Sequence, residues 1–402
     1  MVEDIIKSLA DIVGLQTVLR LNEGGGFSAY VSSCEEVEKF LDGGALIRLT
    51  ITLRGRGQSP SGIFAALERA CAAVGNVLHA DIGGVDVTFA VQAPPAFDSF
   101  GEKGDYSASC KITAEYIAEC DKAKSKVWFE CEDGSIVDMW RGNIRAVKIQ
   151  GGMIARDITA VDNAFGDGGV IAGERGAVRD LRVAVRLCGE QVSARKRLGS
   201  IFRGGILHFA CGNIQRKIQC CYAKTEYNIT NLSDRAEITF LCAEPFFCDE
   251  DTLSAASGGI IGLWEFPWEL PAEETFELSA VNVSPCAVIF NGGDVPCGFA
   301  AVINVQRDIK GLKIEEPVSG KCIEIKMDML SGSKVHIDTR EGRKSVTLYQ
   351  TAENIPLDIT SAVVYGSEFF PLQRGMNRVY FYDSDGGSVS AEIRCCALYG
   401  GI

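Results

Sequence analysis

The three histidines, His79, His208 and His336, set the first limit on the chemistry this chain can do. His336 lies in KVHIDT and alternates with Val335 and Ile337, as a strand residue does. His208 lies in ILHFACG, apolar on both sides, the setting of a satisfied core histidine. No HExxH is present, so a zinc protease is unsupported. No GxSxG nucleophile turn occurs either; the nearest string, GQSPSG, lacks the second glycine at the needed place. A Walker-type phosphate loop is absent, and LRGRG reads as a turn with solvated arginines. DSDGG at 383–387 resembles the opening of a calcium loop, but the twelfth position holds Arg394 where a bidentate Glu belongs. A hairpin turn at Asp385-Gly386 explains the same residues. DNAFGDGG is equally rich in oxygen, has no regular ligand spacing and reads as a loop. No defensible acid/base pair emerges, so the expectation is a non-enzyme without cofactor or metal.

Three other groups of residues could act by contact. Arg195, Lys196, Arg197 and Arg203 form the strongest positive cluster in an acidic protein. They fit either a subunit interface or a solvated helix face. Tyr380 and Tyr382 alternate around Phe381 in one strand, so both can share an exposed face, as a glycan platform requires. Phe246, Phe247, Trp264, Phe266 and Trp268 cluster beside Pro267 and Pro271. They suit stacking on sugars or, better, plugging a seam between domains. The sixteen cysteines include no Cys-x-x-Cys. A chain this long does not depend on disulfides, so they read as small hydrophobes, with Cys220–Cys221 and Cys395–Cys396 as neighbours pointing to opposite strand faces.

The frame that must position these residues is a folded, acidic protein. The chain has 402 residues, 47% hydrophobic and 23% charged, with net charge −13. Such a charge argues against a dedicated nucleic-acid binder. No apolar run approaches the roughly 20 residues that span a bilayer, and the start, with Glu3, Asp4 and Asp11, is not a secretory signal. The segments 1–120, 121–270 and 271–402 carry net charges of −7, −1 and −5. In the first, VEDIIKSLADIVGL has helical spacing, ALIRLTITLRG alternates with period two, and SGIFAALERACAAVGNVL is a helix with Ser61 as its N-cap. VDVTFAVQA and YSASCKITAEYIA are strands joined by a loop holding Pro94 and Pro95. The second segment is mostly strands, with a short basic helix at SARKRLGSIFRG and a Gly- and Asp-rich loop at 157–176 too long for an ordinary connection. The third repeats short alternating segments with turns every 8–12 residues, the pattern of an antiparallel β-sandwich.

Certain strings resemble a known family. RKIQCCYAKTEYN, AEITFLCAEPFFCD, WEFPWELP, VNVSPCAVIFNGGDVPCGF, IDTREGRKSV and FFPLQRGMNRVYF occur in the order seen in siphophage distal tail proteins, over residues 125–402. The first 120 residues, with their N-terminal helix and FLDGGALIRLTITLRGRG, weakly resemble a phage tail terminator or head–tail completion protein. The resemblance implies a mainly β fold: an N-terminal α/β domain at 1–120, a ring-forming β-domain at 121–263, a Pro/Trp linker at 264–275 and a galectin-like antiparallel β-sandwich at 276–402. It implies a structural tail-hub or baseplate protein of a phage or prophage virion, closing into a hexameric ring. Expected partners are copies of itself, the major tail tube protein, the tape-measure protein and tail-associated or receptor-binding proteins. A lectin-like sandwich binding host cell-surface glycan is the alternative.

Ring closure repeats one heterologous contact about an axis. In a β-protein, unpaired strand edges make that contact readily. The long strand Arg216–Asn228 is expected to donate an edge, and the 157–176 loop to reach a neighbour as an arm.

Overall fold

A computed structural model describes residues 1–14, 17–18, 26–77, 79–100, 105–120, 122–188, 191–227, 234–250, 252–257, 259–262, 279–282, 285–350, 355–385, 387 and 389–402. The chain forms two compact units. The first comprises Met1–Gly152, Ala177–Gln215 and Gln219–Glu244; the second comprises Met153–Gly176, Arg216–Ile218 and Pro245–Ile402. The expected linker at 264–275, with Trp264, Phe266 and Trp268, lies outside the described residues.

In the first unit, α1 (Val2–Val13) buries Ile5 and Leu9, and Gly14 ends it with φ 64°, a left-handed turn that suits glycine. Six strands follow in the spatial order Thr17–Val18, Gly26–Lys39, Ala45–Gly57, Tyr106–Ala118, Val85–Phe100, His79–Ile82. Period two in Ala45–Gly57 puts Leu49, Ile51 and Leu53 on one face, all fully buried. The second helix, α2 (Pro60–Asn76), brings Ile63, Ala66, Leu67, Ala70 and Val74 to the core of this layer. Its N-cap is Ser59, whose Oγ accepts from the Gly62 N–H at 3.3 Å, and not Ser61. Pro60 decides this: its missing N–H and fixed φ suit the first helical position, so the cap falls one residue before it.

One strand is longer than expected. Val85–Phe100 runs straight through Pro94 and Pro95. Its register against Tyr106–Ala118 shifts at Val91/Ala93, Ala93/Ala96 and Phe97/Ser99. Proline can sit there because His79–Ile82 pairs only with Val85–Thr88, leaving the outer edge open beyond it.

The rest of the first unit is two packed sheets. One has the order Tyr222–Tyr227, Arg235–Cys242, Arg179–Leu187, Ile144–Gln150, Trp140–Arg141; in the other, Ser125–Cys131 pairs with Gly205–Cys211 and with Ile136–Asp138. Phe129 and Phe240 meet between them, ring centroids 4.9 Å apart. The expected long strand Arg216–Asn228 is broken: Ile214–Cys220 ends, the chain bends at Cys221, and Tyr222–Tyr227 joins a different sheet. Alternation alone cannot reveal a sheet switch, because both pieces keep period two.

Residues 1–120 are tied into this unit by buried ion pairs. Arg145, 3% exposed, donates to Asp42 at 2.5 Å and to Glu119. Arg186 pairs with Glu38 at 3.0 Å and with Asp234, and Glu38 also meets Arg235 at 3.1 Å. The backbone joins in: Leu41 N–H donates to Ala146 O at 2.9 Å and Lys124 N–H to Asp42 O at 2.8 Å. A buried charge stripped of its partner is costly, so these contacts hold the two segments in one register.

The second unit holds a two-sheet sandwich. One sheet has the order Leu253–Ser257, Ser390–Cys395, Phe299–Asn304, Lys334–Asp338, Ser345–Tyr349, Pro356–Asp358; the other Cys286–Asn291, Gly375–Asp383, Leu312–Glu316, Lys321–Ile325. Phe299, Phe370, Phe381, Ile303, Ile314 and Ile323 fill the space between. The C-terminal strand Leu398–Tyr399 pairs with Phe247–Asp249. There Tyr399 O–H donates to Asp249 at 2.8 Å, and the Arg216 guanidinium, paired with Asp249, stacks 3.4 Å from the Tyr399 ring centre.

Candidate assembly interface

The segment expected as a loop at 157–176 is a β-ribbon. Arg156–Asp162 pairs antiparallel with Gly169–Gly176, shifting register once at Thr159/Ala160. Asn163 N–H donates to Gly168 O at 3.0 Å to close the turn, and Gly168 has φ 87°. Every residue of both strands is exposed. Two cross-strand ion pairs, Arg156–Glu174 at 2.5 Å and Arg175–Asp157 at 3.3 Å, set the register near its base. Farther out the ribbon is apolar on both faces: Val161 stands opposite Val170, and Ile171 opposite Ala160. Phe165 at the tip is fully solvated. Hydrogen-bond pairing gave this segment its form, and among the described residues no core backs it.

The basic residues gather in one place. Arg195, Lys196 and Arg197 belong to the last turn of α3 (Gln191–Leu198). Ala194 and Leu198, four apart, are buried, so Lys196 and Arg197 face water and Arg195 is half-buried. Arg203 follows in the loop, its guanidinium 5.2 Å from the ring centre of exposed Phe202. Val192 is also exposed. The result is a cationic patch with apolar side chains among the charges, on the first unit. Asp133, in the turn before Ser135, has its carboxyl below its ordinary value chiefly because Ser135 hydrogen-bonds to it.

Tyr380 and Tyr382 do share a face. Their rings stack with centroids 6.0 Å apart and planes 11° from parallel, on the outer side of the four-stranded sheet. Both are half-buried. Across the ladder, Tyr382 stands opposite Lys313 and Tyr380 opposite Glu315, which pair with each other at 2.7 Å. A groove of about 700 Å³ opens beside Lys313, lined also by Lys310, Lys326, Glu324, Asp328 and Asp383. Val288, Phe290 and Met376 are exposed farther along the same sheet.

The suspected calcium-loop string is a turn. Asp383 accepts from the N–H groups of Asp385 at 3.0 Å and Gly387 at 2.7 Å, and from Arg307. Burial alone would raise its pKa, but these hydrogen bonds outweigh it and hold the carboxyl below the usual aspartate value. Gly386 lies outside the described residues.

The histidines are placed apart. His336 is exposed and packs on Tyr349, centroids 4.6 Å apart; burial and Lys334 lower its pKa. His208, buried, stacks on Trp128 at 4.9 Å and lies 3.3 Å from Glu130. His79 approaches Asp86 at 3.5 Å. Among the described residues no three His, Cys, Asp or Glu side chains gather as metal ligands. Of the cysteines only Cys110, Cys220, Cys242, Cys297 and Cys395 are fully buried, and Cys34, Cys211 and Cys221 are exposed, so burial accounts for part of the set.

Sequence reasoning missed Arg145 and Arg186. Their buried partners Asp42 and Glu38 lie 103 and 148 residues away in the chain. The one local signal is a charged residue at an inward strand position, which has no counterpart visible nearby.

Residues 292–394 match the family model described as siphovirus-type tail component, C-terminal domain. This segment is a siphovirus tail-component domain. It covers most of the sandwich, from Gly292 to Arg394, and the protein is accordingly a structural component of a phage tail, working in the virion. No curated protein sequence matches the chain. Among solved structures, the SPP1 Dit (gp 19.1) protein, described as a paradigm of hub adsorption apparatus in phages infecting Gram-positive hosts, is 11% identical; the match covers 67% of this chain and 98% of that one, with TM-score 0.46. A chain of the phage P2 baseplate, in its activated conformation with Ca, is 10% identical over 69% of this chain and 99% of that one, with TM-score 0.42. The same baseplate with Sr gives 9%, 67% and 97%, with TM-score 0.40. The tail-component domain contains Tyr380, Tyr382 and Asp383, whereas the ribbon and the basic patch lie outside the matched residues. Among the described residues no helix is long and apolar enough to cross a membrane.

Proposed function

We propose that this tail protein is the distal-tail hub subunit: copies of the chain, six in the family's pattern, close into a ring that joins the tail tube to the tip or host-adsorption apparatus. The observation that carries this reading is the ribbon at 156–176. A solitary two-stranded hairpin is marginal in water, and this one has apolar side chains on both faces. Reaching onto the next copy would cover those side chains. Repeated around an axis, one such head-to-tail contact closes a ring. The basic patch of α3 and Arg203 supplies a second contact, drawn to the acidic surface of a chain with net charge −13. Ring closure multiplies weak contacts, so no single hot spot is needed. The tube, tape-measure and receptor-binding proteins are the partners this placement calls for.

The test is the mass of the purified chain in solution together with negative-stain micrographs. Full-length protein is expected to give annular particles of uniform mass. A variant with residues 157–175 replaced by a short Gly-Ser turn is expected to stay monomeric. Equal assembly by that variant would overturn the role of the ribbon, and a full-length chain that stays monomeric even with its tube partner would overturn the ring.

The stacked Tyr380–Tyr382 pair beside a groove favours a second reading, recognition of cell-surface glycan by the sandwich. Retention of the full chain on host cell walls, lost in the Tyr380→Ala, Tyr382→Ala double variant, is the expected result; no retention above background rejects it.

A further inference from the structure

The first unit contains a buried thiol pair. Cys220 ends the strand Ile214–Cys220 and Cys242 ends Arg235–Cys242; their sulfurs are 3.6 Å apart, and both residues are wholly buried. Arg179, 4% exposed, stands directly opposite Cys242 in the ladder between Arg179–Leu187 and Arg235–Cys242. Residues directly opposite in an antiparallel pair project to the same face, so the cation and the thiol share one side of the sheet. The two sulfurs share a hydrogen bond, which either can donate; accepted by Cys242, it draws that thiol below its ordinary value against burial, and the charge of Arg179 adds to the effect. The same hydrogen bond and burial push Cys220 up. Thiolate character beside a cation is what makes a cysteine reactive, and a second thiol within reach captures its first oxidation product. Cys221, the next residue, is exposed, at the bend into the edge strand Tyr222–Tyr227.

We propose that Cys242 and Cys220 are an oxidisable pair, with Arg179 as positioning residue, that closes to a disulfide when the protein passes from a reducing cytoplasm into a released particle. The oxidant is a peroxide. The Cys242 thiolate attacks one peroxide oxygen, the O–O bond breaks, and the other oxygen leaves as water after taking a proton. Cys242 is then a sulfenic acid, oxidised by two electrons, and the peroxide has been reduced by two. The Cys220 sulfur attacks the Cys242 sulfur, the S–S bond forms, the S–O bond breaks, and the hydroxyl leaves with the Cys220 proton as water. Two thiols and one hydrogen peroxide thus give one disulfide and two waters. The bond joins positions 22 residues apart and ties the bend at Cys221 to the neighbouring strand.

The full-length chain, purified reduced and freed of reductant, is treated with hydrogen peroxide; remaining thiols are then blocked with a maleimide and the peptides mapped by mass. The expected result is a Cys220–Cys242 cross-linked peptide that dithiothreitol reverses. Arg179→Gln is expected to slow its formation several-fold and Arg179→Lys to restore it. The proposal fails if exposed Cys221 and Cys211 are consumed while Cys220 and Cys242 stay reduced. It fails for Arg179 if the Gln variant oxidises as fast as the parent. Should the Gln variant not fold, Cys220→Ser decides: Cys242 is expected to gain oxygen atoms instead of a cross-link, and an unaltered Cys242 overturns the assignment.

Discussion

In the sandwich strand Gly375–Asp383, residues 377, 379, 381 and 383 are buried and the residues between them are not; in the ribbon strands Arg156–Asp162 and Gly169–Gly176 no residue is buried on either face. Both are paired antiparallel through their backbones. The sandwich strand is anchored because a second sheet lies across it. Among the described residues the ribbon is held by its own cross-strand hydrogen bonds and two exposed ion pairs. The same antiparallel pairing therefore gives a self-sufficient element in one place and a partner-seeking one in the other.

The largest effect should come from the buried side. Phe381→Ala removes a fully buried ring from the sandwich and should cost about 3–5 kcal/mol, read as a lowered denaturation midpoint. Ser257→Ala is expected to cost about 1–3 kcal/mol, since the Ser257 hydroxyl accepts from Ala391 N–H at 3.0 Å in a dry setting. A cost indistinguishable from zero would mean that the interior near Ser257 admits water.

Acid should separate the two regions next. The folded pKa of Asp383 is depressed, so its contribution is complete above the ordinary aspartate value and is lost as pH falls through the lower folded one. Stability of the parent should therefore decline more steeply than that of Asp383→Asn over that acidic interval, measured by urea unfolding at a series of pH values. Parallel curves would remove Asp383 from the account. The smallest effects belong to the ribbon. Glu174→Gln breaks an exposed pair and should change monomer stability by less than about 1 kcal/mol. Val161→Ser with Ile171→Ser should leave the unfolding midpoint unchanged and weaken assembly; a large loss of stability in the isolated chain would show that the ribbon already has a core of its own.

Much of this layout was legible beforehand because burial writes itself into a sequence as a period. The sandwich segments, α1 and α2, and the strand at Leu49, Ile51 and Leu53 all carry that signature. The stacking of Tyr380 and Tyr382 followed from the same rule, since residues two apart in a strand share a face. The ribbon was read as a loop because glycine and aspartate are poor strand formers; cross-strand pairing overrode propensity. The strand through Pro94 and Pro95 escaped notice because proline forbids a central strand and only topology made it an edge.

The amino-acid sequence determined which segments could bury a face, that the charge balance is acidic, and that Arg195, Lys196 and Arg197 would stand on one short helix. Tertiary structure alone decided that Arg145 meets Asp42 across a sequence separation of 103 residues, that Cys220 meets Cys242 beside Arg179, and that every residue of the ribbon strands is left exposed. The reason is range: periodicity records how a residue faces its own element, while an ion pair, a thiol contact or a missing neighbour depends on which distant element the fold brings alongside.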